Sequence, residues 1–390
     1  MAKQGETPLA TLVLARDFPP DIGGVQSVVA ELAARTPNAR VIARHTSGDD
    51  EHDRDFPAIV TRVAACERGP RALRPILRQV ALWMAVSREW RLRRFGRVVC
   101  GYLAFAGPVA WVWRRLFGVP YAVLTYGTEI VRARDSIWSP AWRRILRDAD
   151  FVATIAEPLV EILRAMEPDA HVVKIPLGCN VAADDPPLLP NPWRGVDHPN
   201  RRVVLSVGRL VARKGFDMVI RALGDAGGRR GDTLYIVAGE GPDRARLVSL
   251  ARECGVADRV VFAGRVEPGE LRALYARCDV FAMPSRREGD DIEGFGLVFV
   301  EAGAFGKPVI GGDSGGVSEA VRDGVNGLLV DPTDPAAVGD ALDRILDDAN
   351  LAARLGVGGR LLAATEFTFE RMAEVIHSAW SDGAGMTSRR

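Results

Sequence analysis

The 390-residue sequence lacks the features that mark secreted, zinc-binding and membrane-spanning proteins. Its five cysteines are odd in number, scattered and never spaced as C-x-x-C. This usage argues against a disulfide framework or a zinc site and for a reducing compartment. No apolar run approaches the ~18 residues that a membrane-spanning helix needs, and the N-terminal run is too short for a signal peptide. We therefore predict a cytoplasmic protein, at most peripheral at the inner face of the membrane.

The chain also lacks a large net charge, which is +1, but its arginines are unevenly placed. The segment 62–97 holds ten arginines against two glutamates. No nucleic-acid reader motif accompanies them, so we predict no nucleic-acid partner. Residues 70–95 read as a basic amphipathic helix with tryptophans, which suits peripheral contact with an anionic membrane. The alternative is a helix packed on a sheet, with a solvated arginine face.

Short apolar runs alternate with amphipathic stretches along most of the chain, a pattern typical of an open parallel sheet. The run 9–15 leads through a Gly-Gly turn into a helix, and the pattern restarts at residue 202 after a stretch with five prolines. We predict an α/β protein with two doubly wound parallel-sheet domains. The predicted segments are an N-terminal domain 1–185, a linker 186–200, a second domain 201–366, a C-terminal helix 367–380 and a disordered tail 381–390.

Two carboxylates, Glu293 and Glu301, bracket the glycine-rich and apolar stretch around which the second domain is organised. Gly296 lets the backbone turn sharply and approach a ligand, and the helix predicted from Leu297 offers free amides to an anion. Glu301 lies among apolar residues, where a carboxylate needs hydrogen-bond donors such as a sugar diol. Taken alone, the pair is better explained as a satisfied core acid and a loop charge, because short motifs match by chance. The surrounding motifs reverse that preference.

Two cations, Arg209 and Lys214, follow the first predicted strand of the second domain in a glycine-bounded loop. Fixed cations at the carboxyl end of a strand can neutralise a departing diphosphate. In an arginine-rich chain they carry little weight by themselves. A polar loop at Thr125–Glu129 ends a strand of the first domain, where open α/β sheets bind ligands.

Two motifs suggest other chemistry. The segment Gly312–Gly316 matches G-x-S-x-G, but no histidine stands in a serine-protease context, and His377 sits in a terminal helix where packing is the better reading. D-x-D pairs occur at 53–55 and 148–150, outside any convincing metal loop. We therefore predict neither hydrolase chemistry nor a bound metal.

Several ordered motifs resemble glycosyltransferase family 4. They are PPDIGGVQ, GRLVARKG, GEGPDRARL, FAGRV, EGFGLVFVEAGAFGKPVI and GGVSEAV, followed by DGVNGLLV. The similarity covers nearly the whole chain. It implies the GT-B fold, with two Rossmann-like domains facing across a cleft and the final helix crossing back to the N-terminal domain. It further implies a retaining, metal-independent hexosyl transfer, with a GDP- or UDP-linked sugar as substrate and no cofactor.

Residue roles follow from the same resemblance. The catalytic set is Glu293, Arg209 and Lys214, with the two cations on the donor diphosphate and the Gly24 amides opposite. The other donor-binding residues are Val266 near the base, Phe295, Gly296 and Leu297 at the sugar, and Glu301 at the ribose.

The acceptor loop departs from the family pattern. Many relatives carry a histidine here, whereas this chain has Tyr126, Gly127, Thr128 and Glu129. Tyr126 or Thr128 can replace the histidine, or the sugar specificity differs. The DDIEGFG version of the central motif is most similar to bacterial α-mannosyltransferases acting on phosphatidylinositol mannosides. This favours mannose as the sugar. Together with the basic segment 70–95, it makes a lipid-linked acceptor a reasonable hypothesis beside a glycan acceptor. The alternatives are a GT-B sugar-nucleotide epimerase and a non-catalytic nucleotide-sugar-binding module.

Overall fold

The structure is a computed structural model that describes residues 10–21, 23–64, 73–92, 94–179, 201–225, 231–289 and 291–387, with side chains described up to residue 381. Its contacts divide the chain into two compact units. The N-terminal unit comprises Met1–Leu177 together with Phe369–Arg390, and the C-terminal unit is Gly178–Thr368. The predicted linker 186–200 lies outside the described residues.

A seven-stranded, wholly parallel sheet forms the centre of the N-terminal unit, in the order β3-β2-β1-β4-β5-β6-β7. The central strands are fully buried runs of valine, leucine and alanine, as expected for a sheet covered on both faces. The strands are β1 (Thr11–Ala15), β2 (Arg40–Arg44), β3 (Ile59–Val63), β4 (Arg97–Cys100), β5 (Tyr121–Thr125), β6 (Phe151–Thr154) and β7 (Val172–Lys174). The order 3-2-1-4-5-6 within it is that of the doubly wound Rossmann-like fold, as predicted.

The helices of this unit connect successive strands. They are α1 (Gly24–Arg35), α2 (Asp49–Asp55), α3 (Arg74–Arg91), α4 (Leu103–Phe117), α5 (Thr128–Arg134), α6 (Ser139–Arg147) and α7 (Glu157–Met166).

Helix α3 occupies most of the basic segment 70–95. Its tryptophans face the protein core, whereas the membrane hypothesis predicts that they face outward. Trp83 and Trp90 pack against the core, and Trp90 lies 5.4 Å from Trp113 between ring centroids. Leu82 and Val86 are fully buried on the same side. The tryptophans therefore contribute to packing and not to a membrane-facing surface, because core burial of an aromatic ring removes more apolar area from water.

The C-terminal helix α15 (Phe369–Thr387) packs on α1 and β6 of the N-terminal unit. Glu370 pairs with Arg35 at 2.8 Å, and the His377 Nε2 lies 3.1 Å from the Thr36 hydroxyl. Trp380 meets Phe151 edge-on at 5.0 Å. His377 thus has the packing role predicted for it. The helix continues to Thr387, into the segment 381–390 that is predicted as a disordered tail. No proline follows Trp380 to end it earlier.

The C-terminal unit holds a six-stranded parallel sheet in the order β10-β9-β8-β11-β12-β13, which repeats the Rossmann-like 3-2-1-4-5-6 arrangement. The strands are β8 (Arg202–Val207), β9 (Thr233–Ala238), β10 (Val260–Gly264), β11 (Val280–Met283), β12 (Val309–Gly312) and β13 (Gly327–Val330). Two parallel sheets of this kind confirm the predicted fold class.

The helices of the C-terminal unit cover both faces of its sheet. They are a 3₁₀ turn (Ala212–Lys214), α8 (Phe216–Gly224), α9 (Arg244–Glu253), α10 (Pro268–Arg277), α11 (Leu297–Ala304), α12 (Val317–Ala320), α13 (Pro335–Asp347) and α14 (Ala349–Thr365).

Helix α14 was not predicted from the sequence, because its glycines lower helix propensity. Its role becomes visible only in the packing against α11. A Cβ built on Gly303 would lie 3.2 Å from the Gly359 Cα, so the two helices approach backbone to backbone. Asp348 caps the helix by accepting hydrogen bonds from the amides of Asn350 and Leu351. Across the part of the chain that the structure describes, no helix combines the length and the apolar character needed to cross a membrane.

Candidate functional site

The predicted donor residues of the C-terminal unit lie around the topological switch point of its sheet, whereas Gly24 belongs to the N-terminal unit. Strands β8 and β11 are neighbours there, although three helices and two strands separate them in sequence. The loop after β8 carries Arg209 and Lys214, and the loop after β11 carries Glu293. Crevices at the carboxyl ends of such strands are where open α/β sheets bind their ligands.

The loop after β8 is fixed against the loop after β11 by a glycine. Gly215 has φ 74°, and a Cβ at this position would overlap the Pro284 carbonyl oxygen. The Arg286 amide donates to the Arg213 carbonyl at 2.8 Å, which ties the two loops again. The cations of one loop are therefore held at a set position relative to the carboxylates of the other.

Glu293 is the centre of an ion-pair cluster. It is 8% exposed, and its Oε2 lies 2.5 Å from the Lys214 Nζ and 2.6 Å from Arg213 Nη1. Burial by itself would raise the pKa of Glu293, but the charges of Lys214 and Arg213 and their hydrogen bonds hold it below its ordinary value. The carboxyl is therefore ionised at neutral pH and serves as a hydrogen-bond acceptor.

Arg213 is a site residue that its sequence context does not single out, because the chain is rich in arginine. It also contacts Asp291, whose Oδ2 lies 3.1 Å from its Nε. The signal available in the sequence was its position between Arg209 and Lys214 in one short loop. Arg209 itself is exposed, in contrast to its two neighbours in the cluster.

Glu301 lies within α11, one turn from its start, and accepts a hydrogen bond of 2.7 Å from the Tyr275 hydroxyl. Burial raises the pKa of Glu301, although the Tyr275 hydrogen bond and the charge of Lys214 act in the opposite direction. Tyr275, on α10, was not predicted. No sequence spacing links it to Glu301, since sheet topology alone brings α10 and α11 together.

The start of α11 places backbone amides toward the same switch point. Gly296 takes φ 90° as the N-cap, and a Cβ there would lie 2.6 Å from the Phe299 ring. Leu297 begins the helix, so its amide is among the unpaired donors of the first turn. The Phe295 side chain is buried and meets Phe367 edge-on at 5.5 Å, which leaves its backbone as the part available to a ligand.

The G-x-S-x-G match supports this site structurally. The Gly316 amide donates to the Glu293 carbonyl at 2.8 Å, and Gly315, at φ 62°, approaches the same carbonyl. The glycines are needed for this close approach, which accounts for the motif without a nucleophilic serine. Val266 lies in the short loop between β10 and α10, at the same edge of the sheet, and is half-buried.

Comparisons with known proteins agree with this arrangement. The family model of glycosyl transferases group 1 matches residues 193–361, and that of the glycosyl transferase 4-like domain matches residues 23–178. A GDP-mannose-dependent alpha-(1-6)-phosphatidylinositol monomannoside mannosyltransferase of Mycolicibacterium smegmatis is 35% identical over 94% of this chain and 97% of its own. The chain is a family 4 glycosyltransferase. The enzyme of the same name from Mycobacterium tuberculosis is 32% identical to it over 93% of this chain and 95% of its own.

The GT-B fold of this glycosyltransferase is shared with solved structures. Sucrose-phosphate synthase from Thermosynechococcus elongatus superposes with a TM-score of 0.77 at 24% identity, covering 95% of this chain and 98% of that one. At this identity the likeness shows the fold alone. These comparisons confirm the family and the fold predicted from the motifs.

The residues predicted on the acceptor side lie in the N-terminal unit of the glycosyltransferase, at the end of β5 and the start of α5. Glu129 accepts a hydrogen bond from the Tyr126 amide, and burial raises the pKa of Glu129. The Tyr126 hydroxyl is buried and has no hydrogen-bond partner among the described residues. Thr128 is the first residue of α5, and Gly24 is the first residue of α1, where it is exposed. The ligand contacts of these residues stay predictions.

At least one aspartate of each D-x-D pair forms an ion pair with an arginine. Asp53 pairs with Arg62 at 2.6 Å, and Asp150 pairs with Arg114 at 2.6 Å. In the described ranges, no group of three or more histidines, cysteines and carboxylates could hold a metal ion. Metal-independent transfer stays a prediction, since it concerns the reaction itself.

Proposed function

We propose that the enzyme transfers a mannosyl residue from GDP-mannose to a phosphatidylinositol-mannoside type of glycolipid, with retention of the anomeric configuration and without a metal. The observation that carries this proposal is the similarity over 94% of the chain to an enzyme named for that donor and acceptor. The central motif and the basic helix α3 support the same substrate pair.

The donor diphosphate is assigned to the cation loop after β8. Arg213 and Lys214 balance the charges of Glu293 and Asp291 in the ion-pair cluster. The exposed Arg209 of the same loop adds one positive charge beside them. Fixed cations at a leaving diphosphate stabilise the charge that develops as the bond to the sugar breaks. Lys214 is the residue best placed for this, because it already bridges the loops at the switch point.

The reaction requires no protein nucleophile in this arrangement. The acceptor hydroxyl oxygen attaches to the anomeric carbon as the carbon–phosphate oxygen bond breaks, and the hydroxyl proton passes to the departing diphosphate. Glu293, ionised and held by two cations, orients sugar hydroxyls as an acceptor and is not suited to donate a proton. Glu301 receives the ribose hydroxyls, and the amides of the first turn of α11 receive the sugar.

Peripheral membrane contact is assigned to the outer face of α3. Side chains on one stripe of this helix are large, apolar and exposed. They are Leu73, Ile76, Leu77, Val80 and Met84. Their spacing follows the helical period, and arginines flank them, which is the composition of an interfacial helix on anionic lipid. In this proposal the exposed stripe, and not the tryptophans, is the apolar surface that contacts the membrane.

Transfer assays with purified protein test the proposed function. GDP-mannose, GDP-glucose, UDP-glucose and UDP-galactose are each incubated with a phosphatidylinositol monomannoside in detergent, and lipid-soluble product is quantified. We expect mannosylated lipid with GDP-mannose and a donor-specific rise in Tm, because a bound ligand stabilises the folded state by mass action. Absence of product with GDP-mannose, together with product from a UDP-sugar, would overturn the donor assignment.

The membrane contact is tested separately with liposomes. Cosedimentation with phosphatidylinositol-containing vesicles at low salt is expected, and Ile76→Ser with Met84→Ser should reduce it. Retained binding in this double variant would contradict the role of the stripe. Transfer to lipid also distinguishes the enzyme from an epimerase or a binding module. The names of the relatives already favour transfer.

A further inference from the structure

A cavity of about 1170 Å³ opens within the N-terminal unit. One end lies at the carboxyl edge of the sheet, where Arg16 follows β1, Arg44 ends β2 and Tyr102 follows β4. Strands β1 and β4 are neighbours in the sheet, so this end is the switch point of the N-terminal unit. The other end lies between α3, α4 and α6. The volume exceeds the ~300–1,000 Å³ of sites for small ligands, so a sugar alone would not fill it.

The walls of the cavity are apolar, apart from arginines and two other polar residues. Aromatic side chains dominate between the helices, among them Phe105, Trp111 and Trp142. Five arginines line the cavity, and none of the described lining residues is acidic. They are Arg16, Arg44, Arg78, Arg115 and Arg144. A site that combines an apolar body with several guanidinium groups is complementary to an anionic amphiphile.

Some of these arginines have carboxylate partners that do not line the cavity. Arg16 pairs with Asp17, and Arg115 pairs with Asp148, each at 2.5 Å. Arg44 is more loosely paired, 3.7 Å from Asp17 and 3.7 Å from Asp21. Its guanidinium is therefore the better placed of these to take a phosphate.

Two lining residues carry buried polar atoms that lack a hydrogen-bond partner in the described part of the chain. They are the Arg44 Nε and the Gln79 Oε1. The Gln79 amide nitrogen is used, since it donates to the Phe105 carbonyl at 3.0 Å. A buried donor and a buried acceptor left unpaired cost free energy, which a ligand phosphate and a ligand hydroxyl would offset.

The mouth of the cavity has exposed apolar side chains on both sides. Ile76 on α3 is 60% exposed, and Trp138, directly before α6, is 65% exposed, and both also line the cavity. Ile137 beside Trp138 is 90% exposed. Exposed apolar residues concentrated at a cavity entrance mark a surface that meets an apolar partner.

We propose that this cavity holds an acyl chain of an anionic glycerophospholipid acceptor, with the lipid phosphate at Arg44. The acyl chain enters from the bilayer by passing between Ile76 and Trp138. The inference rests on the glycolipid acceptor of the proposed function and extends it. The enzyme then binds the acceptor by its apolar part as well as by its headgroup. Ile76 and Trp138 insert into the membrane interface, so that the acyl chain passes from the bilayer to the cavity without contacting water.

Quenching of tryptophan fluorescence by brominated acyl chains tests the cavity directly. In the Trp138→Phe background, Trp111 and Trp142 report from the cavity wall. Phosphatidylinositol with dibrominated acyl chains should quench them, and phosphatidylcholine with the same chains should quench them much less, because it lacks a net negative charge. Equal quenching by the two lipids would overturn the assignment of the arginines to the lipid phosphate.

A cavity-filling variant at Ala141 provides a second test, and a smaller substitution at the same position provides its matched control. Ala141 lines the cavity and is exposed, so a larger side chain there projects into the cavity without entering the core. Ala141→Phe should remove most of the quenching and raise KM for the diacylated acceptor at least tenfold. Ala141→Ser should behave as the parent. Donor hydrolysis and transfer to a deacylated, water-soluble acceptor should be unchanged in both variants. Unaltered quenching and KM in Ala141→Phe would refute the proposal.

The two proposals fail in different ways. Quenching without transfer to any phosphatidylinositol mannoside would leave the cavity assignment standing and refute the proposed reaction. Transfer without quenching would do the reverse. Self-association that Ala141→Phe abolishes, without quenching by either lipid, would show that a second copy fills the cavity and would refute the lipid assignment.

Discussion

Replacement of Lys214 by alanine probes the donor site most directly, because this residue joins both loops of the switch point. Its ammonium lies 2.5 Å from the Glu293 Oε2, and Arg213 occupies the same oxygen at 2.6 Å. The variant therefore removes one of two cations from a carboxylate that is 8% exposed. Glu293 keeps one partner and is not left as an isolated buried charge.

The expected loss of stability follows from that geometry. A hydrogen bond between charged groups contributes about 1.5–3 kcal/mol. The ~3–5 kcal/mol of a fully broken buried pair is not reached, since Arg213 remains. For a unit of this size, each kcal/mol lowers Tm by about 2–4 °C, so a fall of roughly 3–12 °C is expected.

The Lys214→Ala variant is also expected to lose most of its activity. If Lys214 stabilises the departing diphosphate, its removal should lower kcat by about 10²–10³-fold, as for other single groups aimed at developing charge. Calorimetry measures the first effect, and initial rates of mannosyl transfer and of donor hydrolysis measure the second. A kcat within threefold of the parent enzyme would refute the assignment of Lys214 to the diphosphate.

The double variant Lys214→Ala with Glu293→Ala separates the two effects. Removing the carboxylate along with the ammonium leaves no under-compensated charge, so the double variant should lose less stability than the sum of the two single variants. Its activity should stay at the level of the worse single variant. A stability loss equal to the sum would show that the pair is not coupled, contrary to the structure.

Three further predictions concern the same site. Arg209→Ala should reduce kcat at least tenfold with Tm unchanged, because the side chain is exposed, and a parallel loss of Tm would contradict a purely ligand-directed role. The donor KM should rise on acidification as pH falls through the raised pKa of Glu301, since ribose binding needs its carboxylate. Glu301→Gln should flatten that profile, whereas Glu293→Gln should leave its shape intact, because the pKa of Glu293 is lowered. Gly296→Ala should cost about 1–3 kcal/mol or more in thermal unfolding, since φ is 90° and the methyl would meet the Phe299 ring. Gly289→Ala, at φ 59° with open space around it, should cost less, and equal losses would refute the steric argument.

The sequence by itself determined the fold class and most of the candidate donor site. Alternating apolar runs and amphipathic stretches are local patterns, and the period of each side-chain pattern reports burial without knowledge of the partner surface. The motif residues Lys214, Glu293, Gly296 and Glu301 stand at predictable places relative to strand ends. Their position at the carboxyl edge therefore followed from the parallel topology.

Only the tertiary structure decided which residues share a contact. Arg213 and Tyr275 complete the surroundings of Glu293 and Glu301, but each comes from a segment distant in sequence from the glutamate that it contacts. Helix α14 forms despite its glycines because backbone packing against Gly303 outweighs weak propensity. The cavity beside α3 likewise arises from the way α3, α4 and α6 pack around it. Contacts between such segments depend on sheet order, and spacing along the chain does not encode sheet order.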